Sequence, residues 1–269
     1  ELARRNQARI CGKLGIEHIW VSADIKKKRE NIRVNVEAWL KNPDLGIIPL
    51  FMAGDKQFFK FCDVVLKETK LPLSVWCTNR LEKTDFKTGF LDIRPLDAGL
   101  FNRPSSIQNL EKLNLIYQYG RRFLANPGLI NRSIPDTLEA FLSYYARNQG
   151  QHLFMFDHHS WDEEEINRVL IGEYDWERAK DTRCTWRIGD GTAPFYNHIY
   201  LTVAGFTEHD TFRSNQIREG MLSRAEALAL VEEENVPRWG SIRDYTQTIN
   251  VDFDETVRAI DRIPKLYMS

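Results

Sequence analysis

Ile16-Glu-His-Ile-Trp-Val-Ser-Ala23 is short, β-branched and aromatic, and Gly15 and Asp24 bound it. Such a run predicts a strand. On its N-terminal side, residues 2–14 place Leu2, Ile10 and Leu14 among Arg and Gln, the pattern of an amphipathic helix ending at Gly15. On its C-terminal side, residues 25–41 predict a charged helix with Ile32, Val36 and Leu40 on one face. A further helix is predicted from Gly54-Asp55 through Thr69, with Phe58, Phe59, Cys62, Val65 and Leu66 inward. Leu73-Ser-Val-Trp-Cys77 then reads as a buried strand. Helix, strand, helix, helix, strand at this spacing predicts an α/β fold, a parallel sheet flanked by helices. Ligands in such sheets lie beyond the carboxyl ends of the strands. That puts Ser22-Ala23-Asp24 and Cys77-Thr78-Asn79-Arg80 at the expected functional edge.

Residues 81–103 are polar and irregular, a predicted loop or flap. Residues 104–147 read as two helical pieces broken at Asn126-Pro127-Gly128, and 153–156 as a short strand. Trp161-Asp-Glu-Glu-Glu-Ile166 is a helix start with acids where the helix dipole favours them. Helices are predicted over 223–235 and 252–262, N-capped by Ser223 and Asp252. The expected division is an α/β nucleotide-binding remainder at 1–103 and a mainly helical region at 104–269 packed on it.

The chain of 269 residues is long enough for a sizeable core, and it is 42% hydrophobic and 28% charged. A net charge of −1 gives no global basic field for nucleic acid. No apolar run approaches the roughly 18 residues of a membrane span. Cys11, Cys62, Cys77 and Cys184 stand far apart with no Cys-x-x-Cys pair, which argues against a zinc cage or a disulfide framework. A reducing cytoplasm is the expected location.

Two polar constellations stand out. Gly189-Asp190-Gly191-Thr192, at a predicted helix start, either cradles phosphate through backbone N–H groups or is a tight turn capped by Thr192 or Asp190. Glu208, His209, Asp210 and Arg213, followed by Ser214 and Asn215, supply either acid–base chemistry with a phosphate clamp or a surface ion-pair network. Arg80, Lys83 and Lys87 follow the second strand and either neutralise phosphates or are simply solvated. Asp157-His158-His159 is a poor chelator, because adjacent strand residues point to opposite faces. Glu232, Glu233 and Glu234 read as an exposed helix face.

Together these segments resemble the N-acetyl sugar amidotransferase family, a branch of the PP-loop ATP pyrophosphatases acting in surface polysaccharide synthesis. The likeness runs through Trp161-Asp-Glu-Glu-Glu-Ile166, Glu173-Tyr-Asp-Trp176, Gly205-Phe206, His209-Asp210, Ser214-Asn-Gln-Ile-Arg-Glu-Gly220 and Ser223-Arg-Ala-Glu-Ala227. It implies an adenine-nucleotide α-hydrolase-like fold. It also implies that ATP adenylates an amide or carboxyl oxygen on a sugar or nucleotide-sugar, releasing pyrophosphate, and that ammonia displaces AMP. A separate glutaminase subunit is the implied ammonia source, and Mg²⁺ the implied metal. On that reading Asp190, Glu208, His209 and Asp210 are the candidate catalytic residues. Arg187, Gly191, Thr192, Arg213, Ser214, Asn79 and Lys83 are the candidate substrate and phosphate contacts. The superfamily's Ser-Gly-Gly-x-Asp-Ser loop is not in this sequence, and the expectation is that it lies upstream of Glu1. Two rival readings are another PP-loop activity such as tRNA modification, and a non-catalytic binding module.

Overall fold

The computed structural model of the chain describes residues 2–94, 109–145, 152–182 and 191–268. Among these residues the protein is helical, and the expected α/β architecture with a helix-flanked parallel sheet is not present. The only described strands are β1 (Ser74–Trp76) and β2 (His152–Phe154). They pair in parallel, with Val75 opposite Leu153. Both lie where the sequence predicts strands. The third, at residues 16–23, is the one that fails: it has no regular secondary structure and pairs with neither β1 nor β2. A β-branched run supplies a preference for extended backbone, whereas a strand also needs a neighbour to take its ladder bonds. Ile19, Trp20 and Val21 are left exposed.

The helices follow local signals closely. They are α1 (Leu2–Leu14), α2 (Ile25–Lys41), α3 (Gln57–Thr69), α4 (Phe86–Gly89), α5 (Asn109–Ala125) and α6 (Ile134–Tyr145). Then come α7 (Glu163–Tyr174), α8 (Thr192–Ala204), α9 (Glu208–Arg218), α10 (Arg224–Glu234), α11 (Trp239–Thr248) and α12 (Phe253–Asp261). The helix expected from Gly54 starts later, at Gln57, because the preceding stretch Leu45–Lys56 winds as 3-10 helix around Pro49. Asp24, Asp162, Ser223 and Asp252 each accept a backbone N–H from the first turn of α2, α7, α10 and α12.

The core forms around α8. Phe195, Ile199 and Tyr200 are fully enclosed, against Val36 and Trp39 of α2, Ile47, Ile48 and Phe51 of the 3-10 segment, Ile242 of α11 and Ile260 of α12. Enclosure of each large apolar side chain contributes about 1.5–3 kcal/mol. Buried on nearly every side, α8 packs against α11, α12 and the 3-10 segment, while α9 and α10 pack on each other. At its start Gly191 has φ +89°, and a Cβ there would lie 2.7 Å from the Ser241 carbonyl oxygen of α11. Only glycine fits this approach.

At the other end of the chain's architecture, α1 is tied to the segment after α7. Arg5 and Arg9 pair with Glu177, and Lys13 pairs with Asp175. Asn6, fully buried, makes two bonds to the Glu177 backbone: its Nδ2 donates to the carbonyl at 2.8 Å and its Oδ1 accepts from the amide at 3.0 Å. Arg5, then Arg9, hold the Glu177 carboxyl down to about 2.

Candidate functional site

Helix α9 carries most of the polar residues singled out by the sequence, and its geometry sorts them into different surroundings. Thr207 caps it, and Asp210 completes the capping box by accepting the Thr207 amide at 2.8 Å. Asn235 locks the arrangement, its Nδ2 donating to the same Asp210 oxygen at 2.9 Å. Asp210 therefore holds the helix start.

Glu208 and His209 are neighbours in sequence, but one residue of helix turns side chains about 100° apart. Glu208 points inward and is 3% exposed. Its carboxylate pairs with Lys87 of α4 and accepts the Tyr196 hydroxyl at 2.8 Å. Lys87 also lies 4.2 Å from the centre of the Tyr196 ring, a cation–π contact. The charge of Glu208 reaches the neighbouring Tyr200. Burial first, and that carboxylate second, push the Tyr200 phenol well above its ordinary value.

His209 and Arg213, one turn apart, share a different face. Arg213 is 2% exposed and grips two helices. Its Nη1 donates to Glu163 of α7 at 2.6 Å, and its Nε to Glu234 of α10 at 3.0 Å. Burial opposes its charge, but the two carboxylates outweigh that and keep the guanidinium above its ordinary range. His209 Nδ1 stands 3.8 Å from the Glu234 carboxylate. Glu232 and Glu233 are exposed, as expected for that helix face, whereas Glu234 is half-buried in this ion-pair network.

The remaining candidates are distributed around this helix. Asn79 is buried and caps the 3-10 turn Arg80–Glu82 by accepting the Leu81 amide at 3.0 Å. That turn docks on the far half of α9, where Asn215 donates to the Leu81 carbonyl at 2.9 Å and Arg80 pairs with Glu219 at 2.8 Å. Ser214 is half-buried beside Asn215. Lys83 pairs with Asp85 at 3.0 Å and is half-buried. Gly191 and Thr192 begin α8, and Thr192 lines a separate groove of about 500 Å³ with Lys28 and Asn31. Arg187 and Asp190 lie outside the described residues.

A cleft of about 490 Å³ opens where α7, α9, α10 and α11 meet. His209, Arg213, Glu163 and Glu234 line it together with Asp181, Arg238 and Trp239. Burial would raise the Asp181 carboxyl, but bonds from Arg238 and Ser241 hold it below its usual range. Trp239 is 45% exposed, an aromatic surface within the cleft. Against the wall shared by His209, Glu234 and Arg238 lies a smaller cavity of about 30 Å³. His198 of α8 lines it, together with Pro194, Leu201, Val236 and Pro237.

The sequence did not flag Glu163, Glu234, Arg238, Trp239 or His198 as site residues. The acids at 163 and 234 looked like helix-end charge, and their common partner is 50 and 21 residues away from them. No periodicity signals a contact of that kind.

Among the described residues no group of three or more His, Cys, Asp or Glu side chains is arranged to hold a metal. Of the candidate catalytic carboxylates, Asp190 lies outside the described residues, and Glu208 and Asp210 are engaged by Lys87 and Tyr196 and by the capping box. These two do not fit a Mg²⁺ site. No described helix is long and apolar enough to cross a membrane. None of the protein-family models, curated proteins or solved structures compared with the chain matches it.

Proposed function

We propose that the chain holds the sugar in an ATP-dependent amidotransferase that acts on an N-acetyl sugar, with the cleft between α7, α9, α10 and α11 as the sugar site. One observation carries this reading. The described cleft lining sets Glu163, Asp181, Glu233 and Glu234 against Arg213 and Arg238, beside the exposed Trp239 ring. Carboxylates and guanidiniums suit the hydroxyls of a neutral polyhydroxy ring, and an indole suits its apolar face. An excess of carboxylates repels polyphosphate, so the same chemistry argues against this cleft for the triphosphate. For Arg213 to hold phosphate it must first release Glu163 or Glu234. Its role in this reading is to fix those two carboxylates where a sugar hydroxyl meets them. The ATP half of the reaction is not assigned to any described residue. Ammonia, from a glutaminase subunit or from solution, is the implied co-substrate.

Saturation-transfer NMR with N-acetylglucosamine and with ATP tests the proposal. Sugar contacts are expected and should vanish in Trp239→Ala. Absence of contacts with any hexose, or tight and salt-sensitive retention of tRNA on a filter, overturns it. AMP release from ATP, ammonia and an N-acetyl sugar then separates an enzyme from a non-catalytic module.

A further inference from the structure

Helix α5 has two apolar faces, and the core takes only one of them. On the inner face Leu115 is buried with Leu91 and Ile93, while Tyr119 and Phe123 pack against the main core. Arg122 fixes the orientation, its Nε donating to Asp44 at 2.8 Å and its Nη2 to the Phe90 carbonyl at 2.9 Å. The outer face carries Leu110, Leu113, Ile116, Tyr117 and Leu124, which are 61–78% exposed. At such exposures they leave on the order of 600 Å² of apolar surface in water, the upper end of what a monomer ordinarily shows. Single exposed leucines are commonplace, but these form a stripe. Leu110, Leu113, Tyr117, Gly120 and Leu124 follow one another at intervals of three, four, three and four, the seam of a paired helix. A helix that is apolar on opposite sides is normally covered on both.

We propose that this outer face pairs with the same face of a second copy of the chain, antiparallel, about a two-fold axis beside Tyr117. Charge, shape and area each select a second copy as the occupant. Glu111 lies in the first turn of α5 and the exposed Arg121 near its end, on the same flank of the seam. In an antiparallel pair each Glu111 comes to the level of the other copy's Arg121, so one sequence supplies two opposite-charge contacts. A parallel pair sets like charges at the same level. The antiparallel arrangement also opposes the two helix dipoles. In shape, the axis at Tyr117 brings Leu113 of each copy onto Gly120 of the other, and Leu110 onto Leu124. A Cβ at Gly120 would meet nothing within 4 Å, so this position is an open hole of the size a leucine knob needs. In area, the stripe approaches the roughly 800 Å² per partner of a standard stable interface, which fits a reversible dimer. The inference does not depend on the sugar reading of the cleft.

Sedimentation velocity of the full chain, from about 1 to about 100 µM, tests the pairing. Wild type is expected to pass from monomer to dimer within that range. Tyr117→Lys sets two like charges at the axis and should leave only monomer, with an unchanged circular dichroism spectrum because the side chain is exposed. Leu124→Lys serves the same purpose should Tyr117→Lys fail to fold. Arg121→Glu and Glu111→Arg should each weaken the dimer about tenfold, since each places like charges opposite one another twice. An equal mixture of these two variants should regain the wild-type strength as a heterodimer, in which both contacts are again between opposite charges. Wild type that stays monomeric at about 100 µM overturns the proposal and leaves the face to a different partner. Assembly beyond two copies, or a dimer that survives both lysine variants, also overturns it. A mixture no tighter than its two components refutes the antiparallel orientation.

Discussion

The buried charge of Glu208 on α9 is open to test by substitution. Glu208 has Lys87 as its cationic partner in the interior, with side-chain exposures of 12% for Lys87 and 3% for Glu208. Lys87→Met strands the carboxylate and should cost about 3–5 kcal/mol in urea unfolding. The double variant Lys87→Met/Glu208→Gln should recover much of that, since no uncompensated charge remains. If the double variant is no more stable than the single, charge compensation is not what Lys87 supplies. His198 makes a pH prediction. Burial lowers its pKa from the ordinary 6.5; Asp261 opposes this, and Lys265 adds to it. As pH falls through 6.5 the unfolded ring takes up a proton while the folded ring resists. Its contribution is therefore complete above that value and is lost as pH falls toward the folded pKa. Between about pH 7.5 and about pH 5.5 the wild type should lose more stability than His198→Gln, a window set by the imidazole. Equal losses would refute the assignment.

Helix ends were legible in the sequence because capping is a local affair. Ser223, Asp252 and the acids after Trp161 announce α10, α12 and α7 within a few residues, and the structure places the caps there or one residue away. The polar block at 205–220 was legible as a cluster, but its division was not. Whether Glu208 meets Lys87 depends on a partner 121 residues away. Residues 16–23 show the converse: their pattern is that of a strand, but pairing is a property of the neighbour, and β1 and β2 do not extend to them. Two substitutions probe the elements around the cleft. Thr207→Ala removes the cap of α9 and its bond to Asn235, and should cost about 1–2 kcal/mol. Gly191→Ala must hold a positive φ and push against the Ser241 carbonyl, so it should cost more than about 1 kcal/mol. Thermal unfolding checks both, and a neutral Gly191→Ala would contradict the close packing of α8 on α11.

Across the described residues, burial is concentrated around α8 and thins toward the irregular segment 16–23. Hydrogen exchange should rank the amides accordingly, with those of α8 among the slowest and those of residues 17–23 close to unprotected. Strong protection at 17–23 would show that they pair in solution. The tether between α1 and Glu177 has its own consequence. Its ion pairs lie at the surface, where exposures run from 33% to 68%, and salt screens such charges over about 10 Å at 0.1 M. The two bonds that Asn6 makes to the backbone are neutral, and salt leaves them alone. Raising ionic strength thus weakens the ion pairs, while the bonds of Asn6 to the Glu177 backbone and of Arg9 and Lys13 to the Asp175 and Glu173 carbonyls keep the helix docked. The registry of α1 on this segment is therefore written in main-chain partners, which salt does not erase.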